Sequence, residues 1–159
     1  MYYGEWNKET QSFEGRGLLI SQDGNLSEGW FKQGSQVGRG RFISNDSEVY
    51  EGSFKDSSFH GRGVFTWPSG AKYTGDFVKG ERSGDGTMNF SNGNRYEGEW
   101  LADKKHGKGI FNYASPRDES YFGDWVNNEE HGSGIYTYKD GSREKRDYRN
   151  GTLVIRVKL

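Results

Sequence analysis

The sequence predicts an all-β chain of tandem antiparallel hairpins. Three observations carry that prediction: a 23-residue period, two turn signals per period, and period-two alternation of the side chains between them. An aromatic residue ends a strand at Trp6, Phe31, Phe54, Phe77, Trp100 and Trp125, with Tyr148 in the same place of a degraded seventh unit. The spacings are 25, 23, 23, 23, 25 and 23. Paired glycines flank one residue at Gly15 and Gly17, Gly38 and Gly40, Gly61 and Gly63, Gly84 and Gly86, Gly107 and Gly109, and Gly132 and Gly134. The two longer spacings come from extra residues before Gly15 and around Ala114 to Arg117, in loops where insertion costs little. One domain over 1–159 is expected, with repeats at about 2–26, 27–49, 50–72, 73–95, 96–120 and 121–143, then a degenerate unit and terminal strand at 144–159.

Each unit carries two turns. Gln33-Gly34, Lys79-Gly80 and Asn150-Gly151 mark the first, and Asp23-Gly24, Ser69-Gly70, Asn92-Gly93 and Asp140-Gly141 the second. Gly, Asn and Asp accept the positive φ that tight hairpins need. Between the turns, alternation puts Gly61, Gly63, Phe65, Trp67, Tyr73, Gly75 and Phe77 on one face. A register with Gly63 opposite Phe77 and Phe65 opposite Gly75 lets each ring cover bare glycine backbone. The ladder continues as Leu19, Phe42, Phe65, Met88, Phe111 and Tyr136. The other face carries Arg16, Arg39, Arg62 and Lys108 against Glu5, Asp76, Glu99 and Asp124, a solvated surface whose cross-strand pairs contribute about 0.2–1 kcal/mol each.

Composition bounds the function. A formal net charge of -1 argues against general nucleic-acid binding and against electrostatic attachment to anionic membranes. With 25 Gly, 10 Phe, 10 Tyr and 5 Trp but only 30% hydrophobic residues, the core is made of rings rather than aliphatic side chains. The absence of cysteine removes disulfides and thiolate zinc sites. The repeat frame already begins at Tyr2, so no signal peptide is expected, and no apolar run reaches membrane-spanning length. The terminal run Leu153, Ile155, Val157 and Leu159 reads as a capping strand, with protein docking at the terminal strands as the alternative.

The frame Tyr-x-Gly-x-Trp/Phe, then Gly-x-Gly often preceded by His, resembles the MORN repeat family; it is seen whole at Tyr96, Gly98, Trp100, His106, Gly107 and Gly109. The likeness spans Tyr2 to about Gly141, with Ser27 replacing Tyr in the second unit and Glu14, Val37 and Ser83 replacing His. It implies an elongated, curved, single-layer antiparallel sheet, about 60 Å or more long at ~4.8 Å per strand. It also implies a structural part in cytoskeletal assemblies, including ciliary and flagellar ones such as radial spoke heads, and hence a cytoplasmic, cytoskeletal or ciliary setting.

No cofactor, metal or catalytic site is expected. His60, His106 and His131 fall at least one unit, about 10 Å, apart, too far to share a metal, and read as turn residues before the glycine pairs. Glu129 with Glu130 and Glu97 with Glu99 lack a nucleophile or orienting partner, and the Gly-x-Gly pairs lack the lysine and helix of a phosphate cradle. The expected function is a non-enzymatic scaffold whose aromatic groove, built from Tyr50, Trp67, Tyr73, Tyr96, Trp100, Tyr121 and Trp125, holds a helix or extended peptide. The alternatives are a phospholipid-binding module, disfavoured by the interleaved charges, a substrate-docking part of a larger enzyme, and a sugar- or choline-binding module.

Overall fold

The computed structural model describes residues 1–159 and contains strands and turns but no helix. The chain divides into two compact units, Met1–Glu81 and Arg82–Leu159. The first holds β1 (Tyr2–Asn7), β2 (Ser12–Ile20), β3 (Leu26–Lys32), β4 (Ser35–Ile43), β5 (Val49–Lys55), β6 (Ser58–Thr66) and β7 (Lys72–Val78). The second holds β8 (Glu81–Asn89), β9 (Arg95–Leu101), β10 (Lys104–Asn112), β11 (Ser120–Val126), β12 (Glu129–Thr137), β13 (Arg143–Arg149) and β14 (Thr152–Lys158). Within each unit every strand pairs antiparallel with the next in sequence, giving a one-layer meander. This is the all-β hairpin architecture that the period predicts.

Turn chemistry sets the hairpins. Gln33 and Gly34 have φ of 49° and 81°, and Asn150 and Gly151 have 48° and 72°, so both central residues are left-handed and match the strand twist. Three turns without glycine do the same at Asp56-Ser57, Ala102-Asp103 and Asn127-Asn128. The turns also tie successive hairpins together: the N–H of Gly34 donates to Phe13 O at 3.0 Å, that of Ser57 to Gln36 O at 3.0 Å, and that of Asn128 to Lys105 O at 3.0 Å.

The register differs from the sequence expectation by two residues. Gly61 lies opposite Phe77, Gly63 opposite Gly75, and Phe65 opposite Tyr73. This pairing carries no bulge; its own turn sets the register, the N–H of Trp67 donating to Ala71 O at 3.0 Å and that of Gly70 to Trp67 O at 2.9 Å. The pairing of β6 with β5 is bulged. Gly52 pairs with Gly63 and Phe54 with Phe59, so two residues of β5 are matched by four of β6. The first glycine of the pair absorbs that bulge, with Gly61 at φ 63° and Gly107 at 58°. The second glycine is the ring seat. The phenol of Tyr50 lies across Gly52 and Gly63, where a Cβ on either would occupy ring space. The ring thus covers glycines on its own strand and on the next one, rather than one directly facing it.

Two departures from the frame are repaired locally. Where Ser27 replaces tyrosine, Gln36, only 3% exposed, fills the seat and its Nε2 donates to Glu28 O at 3.0 Å. In the last hairpin Glu144 replaces tyrosine and Arg146 the glycine. Glu144 accepts from Tyr138 Oη at 2.8 Å and pairs with Arg146 at 3.2 Å and Arg156 at 3.4 Å, so an ion cluster stands where the ring would be. This partnering holds the Glu144 carboxyl below its ordinary range despite the opposing effect of desolvation.

Candidate functional site

The ring-bearing face of each unit is a packed floor with a rim above it. Tyr50, Tyr73, Tyr96 and Tyr121 have no exposed surface, Trp100 is 5% exposed and Trp125 3%. Their polar tips are turned into the sheet. Tyr50 Oη donates to Ser53 O at 2.8 Å, Tyr96 Oη to Glu99 O at 3.0 Å, Trp100 Nε1 to Gly86 O at 3.2 Å and Trp125 Nε1 to Gly109 O at 3.1 Å. Edge-to-face contacts lock the rings, at 5.2 Å and 90° for Tyr50 with Phe54 and 5.2 Å and 88° for Tyr96 with Trp100. Six of the seven groove residues expected from sequence are therefore the core of the layer; Trp67 alone of the seven is half-buried and reaches the surface.

The accessible rings stand two residues beyond the ladder. Trp67 packs 4.6 Å from Phe65 in the first unit; in the second, Tyr113 packs 4.8 Å from Phe111, Tyr138 5.0 Å from Tyr136, and Phe90 lies 5.8 Å from Phe111. All four are half-buried. Sequence reasoning passed over Phe90, Tyr113 and Tyr138, although their signal is plain: each continues the alternation one step past Met88, Phe111 and Tyr136.

A second missed series lies two residues before each glycine pair. It reads Phe13, Gln36 and Phe59 in the first unit, then Arg82, Lys105 and Glu130 in the second. Phe59 stacks on Tyr50 at 3.9 Å, extending the ring floor. Lys105 instead places Nζ 3.8 Å from the Trp125 ring centroid and 4.7 Å from that of Phe111. Burial pushes the Lys105 ammonium down to about 8, against the pull of the nearby Glu130, and burial likewise pushes the Glu130 carboxyl up. Arg117 lies 3.8 Å over Tyr113 and Arg146 3.5 Å over Tyr136. Arg82, Phe90, Trp100, Asp103, Lys105 and Phe111 line a shallow depression of about 450 Å³. The ring face of the second unit is thus aromatic and studded with cations, while that of the first is nearly all rings and amide.

The histidines are not turn residues. His60, His106 and His131 lie inside β6, β10 and β12 at the bulges, and the hairpin turns fall at Asp56-Ser57, Ala102-Asp103 and Asn127-Asn128. The Nδ1 atoms of His106 and His131 are buried without a hydrogen-bond partner. No three His, Asp or Glu side chains converge as metal ligands would. Glu97 pairs with Arg95 at 2.5 Å, and Glu99 Oε1 accepts the N–H of Lys108 at 2.9 Å, satisfying a bulge amide.

Three solved structures resemble the chain at low identity. The TCP domain of Drosophila melanogaster SAS-4 (dCPAP), in complex with a proline-rich motif of Ana2 (dSTIL), is 15% identical, with 99% of this chain and 90% of that one covered and a TM-score of 0.48. The TCP10c domain of Drosophila melanogaster Sas-4 is 15% identical, with 99% and 100% covered and a TM-score of 0.46. The TCP10 domain of Danio rerio CPAP is 13% identical, with 98% and 94% covered and a TM-score of 0.32. No curated protein matches the sequence. The MORN repeat model matches residues 50–72, 73–95, 96–115 and 121–143, more than half of the chain. The chain therefore belongs to the MORN repeat family.

Proposed function

We propose that this chain is a non-enzymatic scaffold that holds a helix or an extended segment of another protein on its ring-bearing face, as a structural subunit of a cytoskeletal, ciliary or flagellar assembly. The carrying observation is the half-buried rim of Phe90, Tyr113 and Tyr138 above a fully packed floor. The floor rings hold the layer together, whereas the rim rings keep surface that only a partner would cover. Tyrosine and phenylalanine supply large contact area at low rotamer cost, and the rim is stiffened by Arg117 stacking on Tyr113 and by Arg146 donating to Tyr138 Oη at 2.8 Å. The assembly type rests on family membership, which is a fold-level analogy.

The test is capture of partners from the native source with cross-links mapped by mass spectrometry. Cross-links should cluster on Lys105 and Lys139, beside the rim. A Tyr113→Ala, Tyr138→Ala double variant should keep its circular dichroism and lose at least about tenfold in partner affinity, as hot-spot rings do. A folded double variant with unchanged affinity, and cross-links confined elsewhere, would overturn the groove.

A further inference from the structure

The face opposite the rings is a trough in the first unit. Its floor is the glycine column, because Gly29 pairs with Gly40, Gly40 with Gly52, and Gly52 with Gly63 across successive strands. Two depressions of about 300 Å³ and 420 Å³ share Arg39, Gly40 and Arg41 and together run across this column. Arg16, Arg39 and Arg62 stand on one wall, each immediately before the second glycine of its pair, on β2, β4 and β6.

What these arginines pair with changes along the unit. Arg62 faces Asp76 and bonds it at 3.7 Å. In the second unit Lys108 faces Asp124 in the same way, at 2.6 Å. Arg16 instead faces Trp30, and Arg39 faces Ser53. The acid is gone and the cation stays, so Arg16 and Arg39 are exposed and form no ion pair, flanking an indole that is 55% exposed. Neither arginine contributes to the fold through a carboxylate.

From this arrangement we infer that the trough binds an extended acidic peptide in the polyproline II conformation, with a carboxylate at every third residue. The spacing selects the conformation. Positions two strands apart are about 9.6 Å apart at ~4.8 Å per strand. Polyproline II returns to the same side every three residues, about 9.3 Å on, so successive carboxylates meet Arg16, Arg39 and Arg62 in register. In a β-strand the third residue points the other way. The peptide's intervening apolar residues would lie against Trp30. The opposite wall carries Glu28, Arg41 and Glu51; Arg41 is paired to Glu51 at 3.3 Å, so Glu28 is the carboxylate there that repels an unbroken acidic tract, and spacing is read as well as charge.

The test uses a fluorescein-labelled peptide of Glu-Pro-Ala repeated about four times, against a peptide of the same composition with its glutamates contiguous. Fluorescence anisotropy at low salt gives the affinities, and a second reading comes from quenching of tryptophan emission that is lost in Trp30→Phe. The spaced peptide should bind at least about tenfold tighter than the contiguous one, with Arg39→Glu weakening it by a similar factor and added salt weakening it further. Arg16→Gln with Arg39→Gln repeats the measurement without charge reversal. Equal binding of the two peptides, no binding of either, or a preference for a single-stranded oligonucleotide of equal charge overturns the inference. Because the variants at Tyr113 and Tyr138 lie in the other unit, their behaviour separates this site from the groove.

Discussion

At Tyr50 one phenol covers two glycines, stacks on Phe59 at 3.9 Å and donates to Ser53 O at 2.8 Å. These contributions separate by substitution. Tyr50→Phe removes only the hydrogen bond and should cost about 1 kcal/mol in urea unfolding. Tyr50→Ala leaves the seat empty and should cost about 3–5 kcal/mol. Equal losses in the two variants would mean that the hydroxyl, not the ring, holds the layer. Gly63 is the reciprocal case, since a methyl there would displace the ring. The Tyr and Gly positions were legible in the sequence because they recur every 23 residues, but their contact was not. Alternation says which face a residue takes; it does not say that a ring will lie along the sheet over its own strand.

At the scale of the hairpin, turn and bulge share the work of register. Ala102 stands at φ 48°, where an L side chain is strained, yet it closes β9 to β10 as Gln33-Gly34 closes β3 to β4. Ala102→Gly should therefore stabilise the chain by up to about 1 kcal/mol, read as a higher urea midpoint with an unchanged slope. A lower midpoint would show that the alanine side chain is needed in the turn. Turns carrying glycine were visible in sequence, whereas Asp56-Ser57, Ala102-Asp103 and Asn127-Asn128 carry no glycine and follow from the period alone. The two-residue difference in register comes from the turn between β6 and β7: Ser69-Gly70 marks a turn, but not that Trp67 and Ala71 close it. The bulges between β5 and β6 and in the equivalent pairings escape the sequence too, because a bulge adds residues to one strand without disturbing the repeat.

Over the whole molecule the tyrosine series couples stability to alkaline pH. Burial pushes the Tyr50 hydroxyl up to about 12, and burial with the nearby Glu99 charge pushes Tyr96 further in the same direction. An acid whose folded value is raised holds its proton where the unfolded chain has lost it. Stability is therefore complete below the unfolded value of 10.0 and falls as pH rises from there towards the folded values. Phenolate absorbance should show a lagging class of tyrosines whose titration coincides with loss of the β signal in circular dichroism; titration of all tyrosines before any unfolding would contradict the seats. By itself the sequence determined the strand class, the hairpin order, the ring face and the family, because a tile repeated at fixed period states its face and its turns each time. Only the tertiary structure decided which rings are floor and which are rim, and which arginines lack a carboxylate. Both depend on the neighbour that strand pairing brings across, and that neighbour lies in another repeat.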